Sequence, residues 1–347
     1  MSGGVDSSVA AALLVEAGFE VIGITMHLAG DASRCCSLDD AEDARRVAEK
    51  LGIRFYVANY TERFRSEVIE PFADAYLEGR TPIPCVVCNR RFKFHHLMER
   101  AGGLGARCVA TGHYARVEDD EATGLRVLRA ARDRAKDQSY FLFDLDQERL
   151  ARTLFPLGEL SKDEVRERAR GLGLATAEKA ESQEICFVPD ADYARVVEAI
   201  RPDAVPGEGD IVDTCGRVLG RHPGIHHFTV GQRRGIGIAA REALFVQALD
   251  PSTNRVIVAG EEALRSSEAR VEAVSWVAGS APDAPVEATV RVRYRHAGAK
   301  ALVEPSRDGR AFVRFAEPVR AISPGQAAVF YRGDEVLGGG WLARGAT

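Results

Sequence analysis

Ser2-Gly3-Gly4-Val5-Asp6-Ser7-Ser8 (SGGVDSS), running into the small, apolar residues 9–17 (VAAALLVEA), is a loop that opens a helix, and its reading decides the fold. Adjacent glycines let backbone N–H groups approach a phosphate closely, and a helix N-terminus favours negative charge. The hydroxyls of Ser2, Ser7 and Ser8 add donors. Asp6 would repel a phosphate directly, so its sensible role runs through Mg²⁺. No Gly-Lys-Ser/Thr follows, so this is not a Walker A loop. A plainer reading is a Gly-Gly turn with a serine cap. The α/β pattern that follows favours the phosphate loop.

Outward from the loop, strand-like and helix-like stretches alternate. Residues 19–28 (FEVIGITMHL) read as a buried strand, and 37–51 (SLDDAEDARRVAEKL) as an amphipathic helix capped by Ser37 and stopped by Gly52. Residues 53–59 (IRFYVAN) and 108–117 (CVATGHYARV) read as further strands. The alternation predicts a parallel sheet with helices on both faces. A phosphate loop in such a sheet follows a strand, which leads to the expectation that the natural protein starts upstream of Met1. Near Arg201 the character changes. Residues 201–209 (RPDAVPGEG) read as a linker, 244–260 (LFVQALDPSTNRVIVAG) as a hairpin, and 286–296, 301–305, 311–318 and 327–342 as strands of a small β-barrel. The expected division is an α/β catalytic domain over 1–203, a small, mainly β domain over 204–270 and a β-barrel over 271–347.

A chain of 347 residues exceeds one hydrophobic core. No apolar run reaches the length of a membrane span, and the N-terminus lacks a basic and an apolar leader region, so a cytoplasmic protein is expected. Net charge is −5, with 27 basic against 34 acidic residues in 1–200 and 10 against 8 in 271–347. Contact with a polyanion must therefore come from local patches. Within the predicted strand 286–296, Arg291, Arg293 and Arg295 alternate and would share one face, with Tyr294 on the other. Arg233 and Arg234, in a Gly-rich loop, are a further basic pair.

Seven cysteines are too few for a disulfide scaffold and suit catalysis, metal binding or redox chemistry. Cys88 sits in CVVCNRRFKF and Cys186 in ESQEICFV, 98 positions apart. Arg90, Arg91 and Lys93 follow Cys88 closely enough to favour its thiolate. On residues alone, Cys186 between Ile185 and Phe187 reads equally well as a small buried hydrophobe. Cys108 reads as strand packing and Cys215 as a turn residue, while the adjacent Cys35 and Cys36 could sit near the expected nucleotide site and are given no role.

Taken together, SGGVDSS, the two cysteine segments, ATGHYAR (110–116), KDQSYFL (136–142) and FTVGQRRG (228–235) resemble the MnmA-type tRNA-specific 2-thiouridylases, members of the PP-loop ATP pyrophosphatases. The matches run from Ser2 to about Tyr331. The resemblance implies ATP-dependent 2-thiolation of a wobble uridine in tRNA. It implies an ATP site at Met1, Ser2, Gly3, Gly4, Val5, Asp6, Ser7 and Ser8 with Met26 and Gly112. It implies tRNA contacts at Lys136, Asp137, Gln138, Arg293 and Tyr294. Cys186 would carry sulfur as a persulfide, and Cys88 would attack it and leave a Cys88–Cys186 disulfide. A sulfur-donor protein, either a persulfide carrier or a cysteine desulfurase, and a monomeric state are also implied.

One departure stands out. Where the family often carries Asn-Pro-Asp, this chain has Ile83-Pro84-Cys85, which puts an acid–base carboxylate there in doubt. Cys85, Cys88 and Cys186 together offer three thiolates for an iron–sulfur cluster with an open iron. Zinc is disfavoured, because no second C-x-x-C closes a tetrahedral set. Two other functions fit parts of the sequence: an amide-forming PP-loop ligase, which leaves the cysteines unexplained, and a non-catalytic RNA-binding protein, which leaves the phosphate loop unexplained.

Overall fold

The computed structural model describes residues 1–29, 38–181 and 184–345. Cys35, Cys36 and the expected cap Ser37 lie outside the described residues. The first helix, α1 (Val5–Glu16), buries Val5, Ser8, Val9 and Ala10–Ala12, consistent with its small apolar sequence. α2 (Leu38–Leu51) carries Asp39 and Asp40 in its first turn and Lys50 in its last, so its charges complement the helix dipole.

Strands β1 (Ile22–His27) and β2 (Arg54–Asn59) pair in parallel, as do β3 (Val109–Ala110) and β6 (Thr153–Leu154). Between them in sequence, β4 (Ala115–Asp119) and β5 (Arg126–Ala130) form an antiparallel hairpin. The single strand expected over 108–117 is thus two, β3 and β4. The break falls at residues 111–114, where the chain bends against the phosphate loop.

The central part holds β7 (Gly209–Val212), β8 (Val218–His222), β9 (Phe245–Asp250) and β10 (Arg255–Ala259) in the order β8-β7-β10-β9. Ile211, Phe228, Val246, Val256 and Val258 form its core. β11 (Arg265–Trp276), β12 (Val286–Arg291), β13 (Ala299–Pro305), β14 (Ala311–Arg320), β15 (Ala327–Arg332) and β16 (Glu335–Leu342) follow. The pairing of β11 with both β14 and β16 closes these six into a barrel. In β14, Ala311, Val313 and Phe315 alternate inward, as the period of a half-buried strand requires. The expected boundary between 270 and 271 falls inside β11.

Barrel and catalytic part are joined by more than the chain. Glu335 of β16 pairs with Arg129 of β5, and Asp334 accepts from Arg129 at 2.7 Å and from Arg116. Tyr140 Oη, fully buried, donates to Ala327 O at 2.9 Å. No helix among the described residues is long and apolar enough to cross a membrane.

Candidate active site

The phosphate loop is built by α1 and the backbone before it. The first amides of α1, like those of any helix, have no intrahelical acceptor, and Gly4 at the N-cap makes no side-chain cap to them. Gly3 has φ +66, and a Cβ there would lie 2.2 Å from Asp40 O, so only glycine fits. Ser8 Oγ donates to Gly4 O at 2.8 Å, and Ser2 N donates to Ser7 Oγ at 3.0 Å. Thr25 Oγ1 donates to Met1 O at 2.6 Å, which holds the start of the loop against β1.

The bend between β3 and β4 closes on this loop. A Cβ on Gly112 would lie 2.8 Å from both Asp6 C and Ser7 N, so glycine is again required. Beyond it, Tyr114 Oη donates to Asp6 Oδ1 at 2.8 Å, and burial beside that carboxylate pushes the phenol pKa up. Asp6 also accepts from Lys162 Nζ at 2.7 and 2.9 Å. His113 is buried, and burial, with Lys93 alongside, holds its pKa well below the usual range. The neutral ring fits its partners. Nε2 faces Lys93 Nζ at 3.3 Å, so it is the acceptor, and Nδ1 lies 2.7 Å from Thr111 Oγ1.

The two cysteine segments meet on one aromatic cluster. Cys88 ends the helix Pro84–Cys88, and an i→i+5 bonded run, Asn89–His96, continues it. Phe92 in that run and Phe187, next to Cys186, both pack edge-on to Phe64, at 5.3 and 5.8 Å. Cys88 and Cys186, each half-buried, rest against this cluster. Buried Asn89 donates to Phe141 O at 3.0 Å, tying the Cys88 segment to the loop after Lys136. Cys85, Cys88, Cys186, the phosphate loop, Met26, Gly112 and Lys136–Gln138 line one cleft of about 1670 Å³. The expectation that Arg90 and Arg91 act on Cys88 meets a competing use. Arg90 pairs with Asp144 at 3.1 Å and Arg91 with Glu67 at 3.3 Å, while Lys93 lines the cleft.

The expected row of arginines on one strand face is not formed. β12 stops at Arg291, and residues 292–295 turn, with His296 N donating to Arg293 O at 3.0 Å. In that turn Tyr294 packs on Phe141, 4.4 Å between ring centroids, a contact an uninterrupted strand face was not expected to make. Arg291 lies 5.5, 6.0 and 5.6 Å from the rings of Tyr140, Tyr294 and Tyr331, and donates to Asp137 Oδ2 at 3.0 Å. Arg293 is half-buried and donates to Arg320 O at 3.1 Å, while Arg295 is exposed. Asp137 is 4 % exposed, and its carboxylate also accepts from Ala131 N, Ser139 N and Ser139 Oγ. Gln138 Oε1 accepts from Tyr114 N at 3.0 Å, and Lys136 pairs with Glu181 at 2.7 Å. Arg233 and Arg234 are exposed in their loop.

Lys162 and Glu181 are the site residues that sequence reasoning passed over. Lys162 follows Ser161, the N-cap of the helix Lys162–Gly171, whose capping box with Glu164 was the one legible signal there.

Three family models match in succession: a tRNA methyl transferase HUP domain over residues 1–190, a tRNA methyl transferase PRC-barrel domain over 196–260, and an aminomethyltransferase beta-barrel domain over 266–342. The tRNA-specific 2-thiouridylase MnmA of Solibacter usitatus is 52% identical over 361 residues, covering 99% of this chain and 97% of that protein. The protein of the same name from Geotalea uraniireducens is 52% identical over 353 residues, covering 99% and 93%. That from Geobacter metallireducens is 52% identical over 358 residues, covering 100% and 96%. With the phosphate loop, both cysteine segments and the barrel all inside these matches, the chain belongs to the MnmA-type tRNA-specific 2-thiouridylase family.

Proposed function

We propose that this protein thiolates the C2 position of a wobble uridine in tRNA at the expense of ATP. The carrying observation is that Cys88 and Cys186 line the same cleft as the phosphate loop. ATP would lie with its phosphates on the loop Ser2–Ser8 and its adenosine toward Met26 and Gly112, with Mg²⁺ held through Asp6. The division into three domains is kept as our reading, with the boundary at 203/204 as expected and the one expected at 270/271 moved to the start of β11 at Arg265.

The chemistry requires both cysteines. The uridine C2 oxygen is a poor leaving group; attack on the α-phosphate of ATP expels pyrophosphate and turns it into an adenylate. Cys186, charged as a persulfide by a donor protein, attacks C2 with its terminal sulfur, and AMP leaves with the old oxygen. Cys88 then attacks Sγ of Cys186. The thiouridine sulfur departs from the Cys186 side, and a Cys88–Cys186 disulfide remains for a two-electron reductant to open. Lys136, Asp137, Gln138, Arg293 and Tyr294 would hold the tRNA. Buried Asp137 does so by fixing the loop backbone rather than by touching RNA. We also propose that the protein works on tRNA as a monomer.

A second route shares the thiols. Cys85, Cys88 and Cys186 line the same cleft and would be the ligands of an iron–sulfur cluster, which when bound offers an open iron to sulfide. Iron assay and visible absorbance after anaerobic purification separate the routes; colourless, iron-free, active protein excludes the cluster. The function itself is tested by incubating purified protein with tRNA, ATP and a sulfur source. Thiouridine is expected from the wild type and none from Cys88→Ser or Cys186→Ser, both of which keep tRNA binding. Near-normal turnover by either variant defeats the proposal.

A further inference from the structure

We infer that Lys162 is a ligand of the ATP phosphates held in reserve by Asp6, and that Glu181 uses it to register the Cys186 segment to the phosphate site; this rests on the ATP reading above. Lys162 is 8 % exposed at the floor of the cleft. Its ammonium has three N–H donors. Three acceptors surround it: Asp6 Oδ1 at 2.7 Å, Asp6 Oδ2 at 2.9 Å and Glu181 Oε1 at 2.8 Å. A phosphate oxygen can therefore join only by displacing one of these oxygens.

Charge decides which. Asp6 stands in the first turn of α1, at the phosphate loop itself, where a carboxylate beside a polyphosphate is repelled unless a cation lies between. Asp6 is the residue that would hold Mg²⁺ brought with ATP, and with Asp6 so engaged two donors of Lys162 would be available to phosphate oxygens. Among the described residues Asp6 is held besides only by the neutral Tyr114 Oη, at 2.8 Å, whereas the other oxygen of Glu181 is held by the cationic Lys136 at 2.7 Å, so Glu181 is the harder of the two to displace. The bond from Lys162 to Glu181 then persists in the nucleotide complex. It ties the phosphate group to a carboxylate five positions before Cys186. No covalent step is involved; Lys162 exchanges one anionic partner for another.

Lys162 would touch the nucleotide, whereas Glu181 is a positioning residue. The test needs neither tRNA nor a sulfur donor. MgATP affinity is measured by calorimetry, and the rate of alkylation at Cys186 by peptide mass spectrometry, with MgATP, with AMP and without nucleotide. Lys162→Met should weaken MgATP binding at least about tenfold and leave AMP binding unchanged. In wild type, MgATP but not AMP should change the alkylation rate at Cys186 by about threefold or more, roughly 0.7 kcal/mol of coupling. Glu181→Gln should bind MgATP normally yet lose that response, and Glu181→Asp should restore part of it. Should Lys162→Met fail to fold, Lys162→Gln and Glu181→Gln carry the test: the neutral glutamine should also weaken MgATP binding at least about tenfold. The inference is overturned if Lys162→Met binds MgATP as wild type does, if wild-type Cys186 is indifferent to MgATP, or if Glu181→Gln keeps the full response. Wild-type protein that binds no MgATP overturns the ATP reading and this inference together. Absent thiolation with these responses intact strikes the thiolation reading alone.

Discussion

Arg291→Ala should loosen the catalytic part from the barrel, and its cost can be worked from the contacts. The Asp137 carboxylate is 4 % exposed, and Arg291 is the one cation bonded to it among the described residues. Removing one partner of a buried ion pair costs about 3–5 kcal/mol, because the remaining charge stays buried. Three hydrogen bonds, from Ala131 N, Ser139 N and Ser139 Oγ, still hold the carboxylate, which places the loss toward the low end. The three tyrosine rings around the guanidinium attract it too, and the ion-pair figure already contains most of what their loss would add. We expect a loss of about 3–4 kcal/mol in urea unfolding, a large share of ordinary stability. Limited proteolysis should report new cleavage between residues 130 and 142. The double variant Arg291→Met with Asp137→Asn removes both charges and should recover at least half of the loss. A loss under about 1 kcal/mol for Arg291→Ala, or strictly additive losses in the double variant, would refute the reasoning.

Other consequences follow from the same geometry. Gly112→Ala drives a Cβ to 2.8 Å from the backbone of Asp6 and Ser7; overpacking of about 1–3 kcal/mol should weaken MgATP binding by about one to two decades, read by calorimetry. His113, His222, His226 and His296 all have pKa values lowered first by burial, so each is neutral when folded and gains a proton on unfolding below about pH 6.5. Stability is thus greatest above that pH and falls as pH drops toward the folded values. Thermal melts from pH 8 to 5 should show this decline, and His113→Asn should make it shallower. Phe187→Ala removes the ring that packs edge-on to Phe64 and Phe72, at 5.8 and 5.1 Å, and should cost about 3–5 kcal/mol and lower thiolation without changing MgATP affinity.

The parts of this molecule that were legible in its sequence are those where local chemistry has one structural use. SGGVDSS demanded glycine geometry at the start of a helix, and the alternation of Ala311, Val313 and Phe315 announced a half-buried strand. Where several uses compete, the sequence was silent. Arg291, Arg293 and Arg295 read as a charged strand face, because alternation says nothing of Tyr294 finding Phe141 across the molecule. Asp137 sits in a polar, charged stretch, and its burial rests on local donors together with a long-range cation, Arg291, which the sequence does not place beside it. Lys162 looked like an ordinary residue after a cap, since its partners Asp6 and Glu181 lie 156 and 19 positions away. Residues 111–114 read as strand although Gly112 stands among them, since one glycine does not show that the chain bends there against Asp6 and Ser7.

The most direct test of the central claim is a single turnover without reductant. Protein carrying persulfide on Cys186 is mixed with tRNA and MgATP, quenched, and analysed for thiouridine and for disulfide-linked peptides by mass spectrometry. The account predicts one Cys88–Cys186 disulfide for each thiouridine formed. Thiouridine appearing with Cys88 still reduced, or linked to another cysteine, would contradict it.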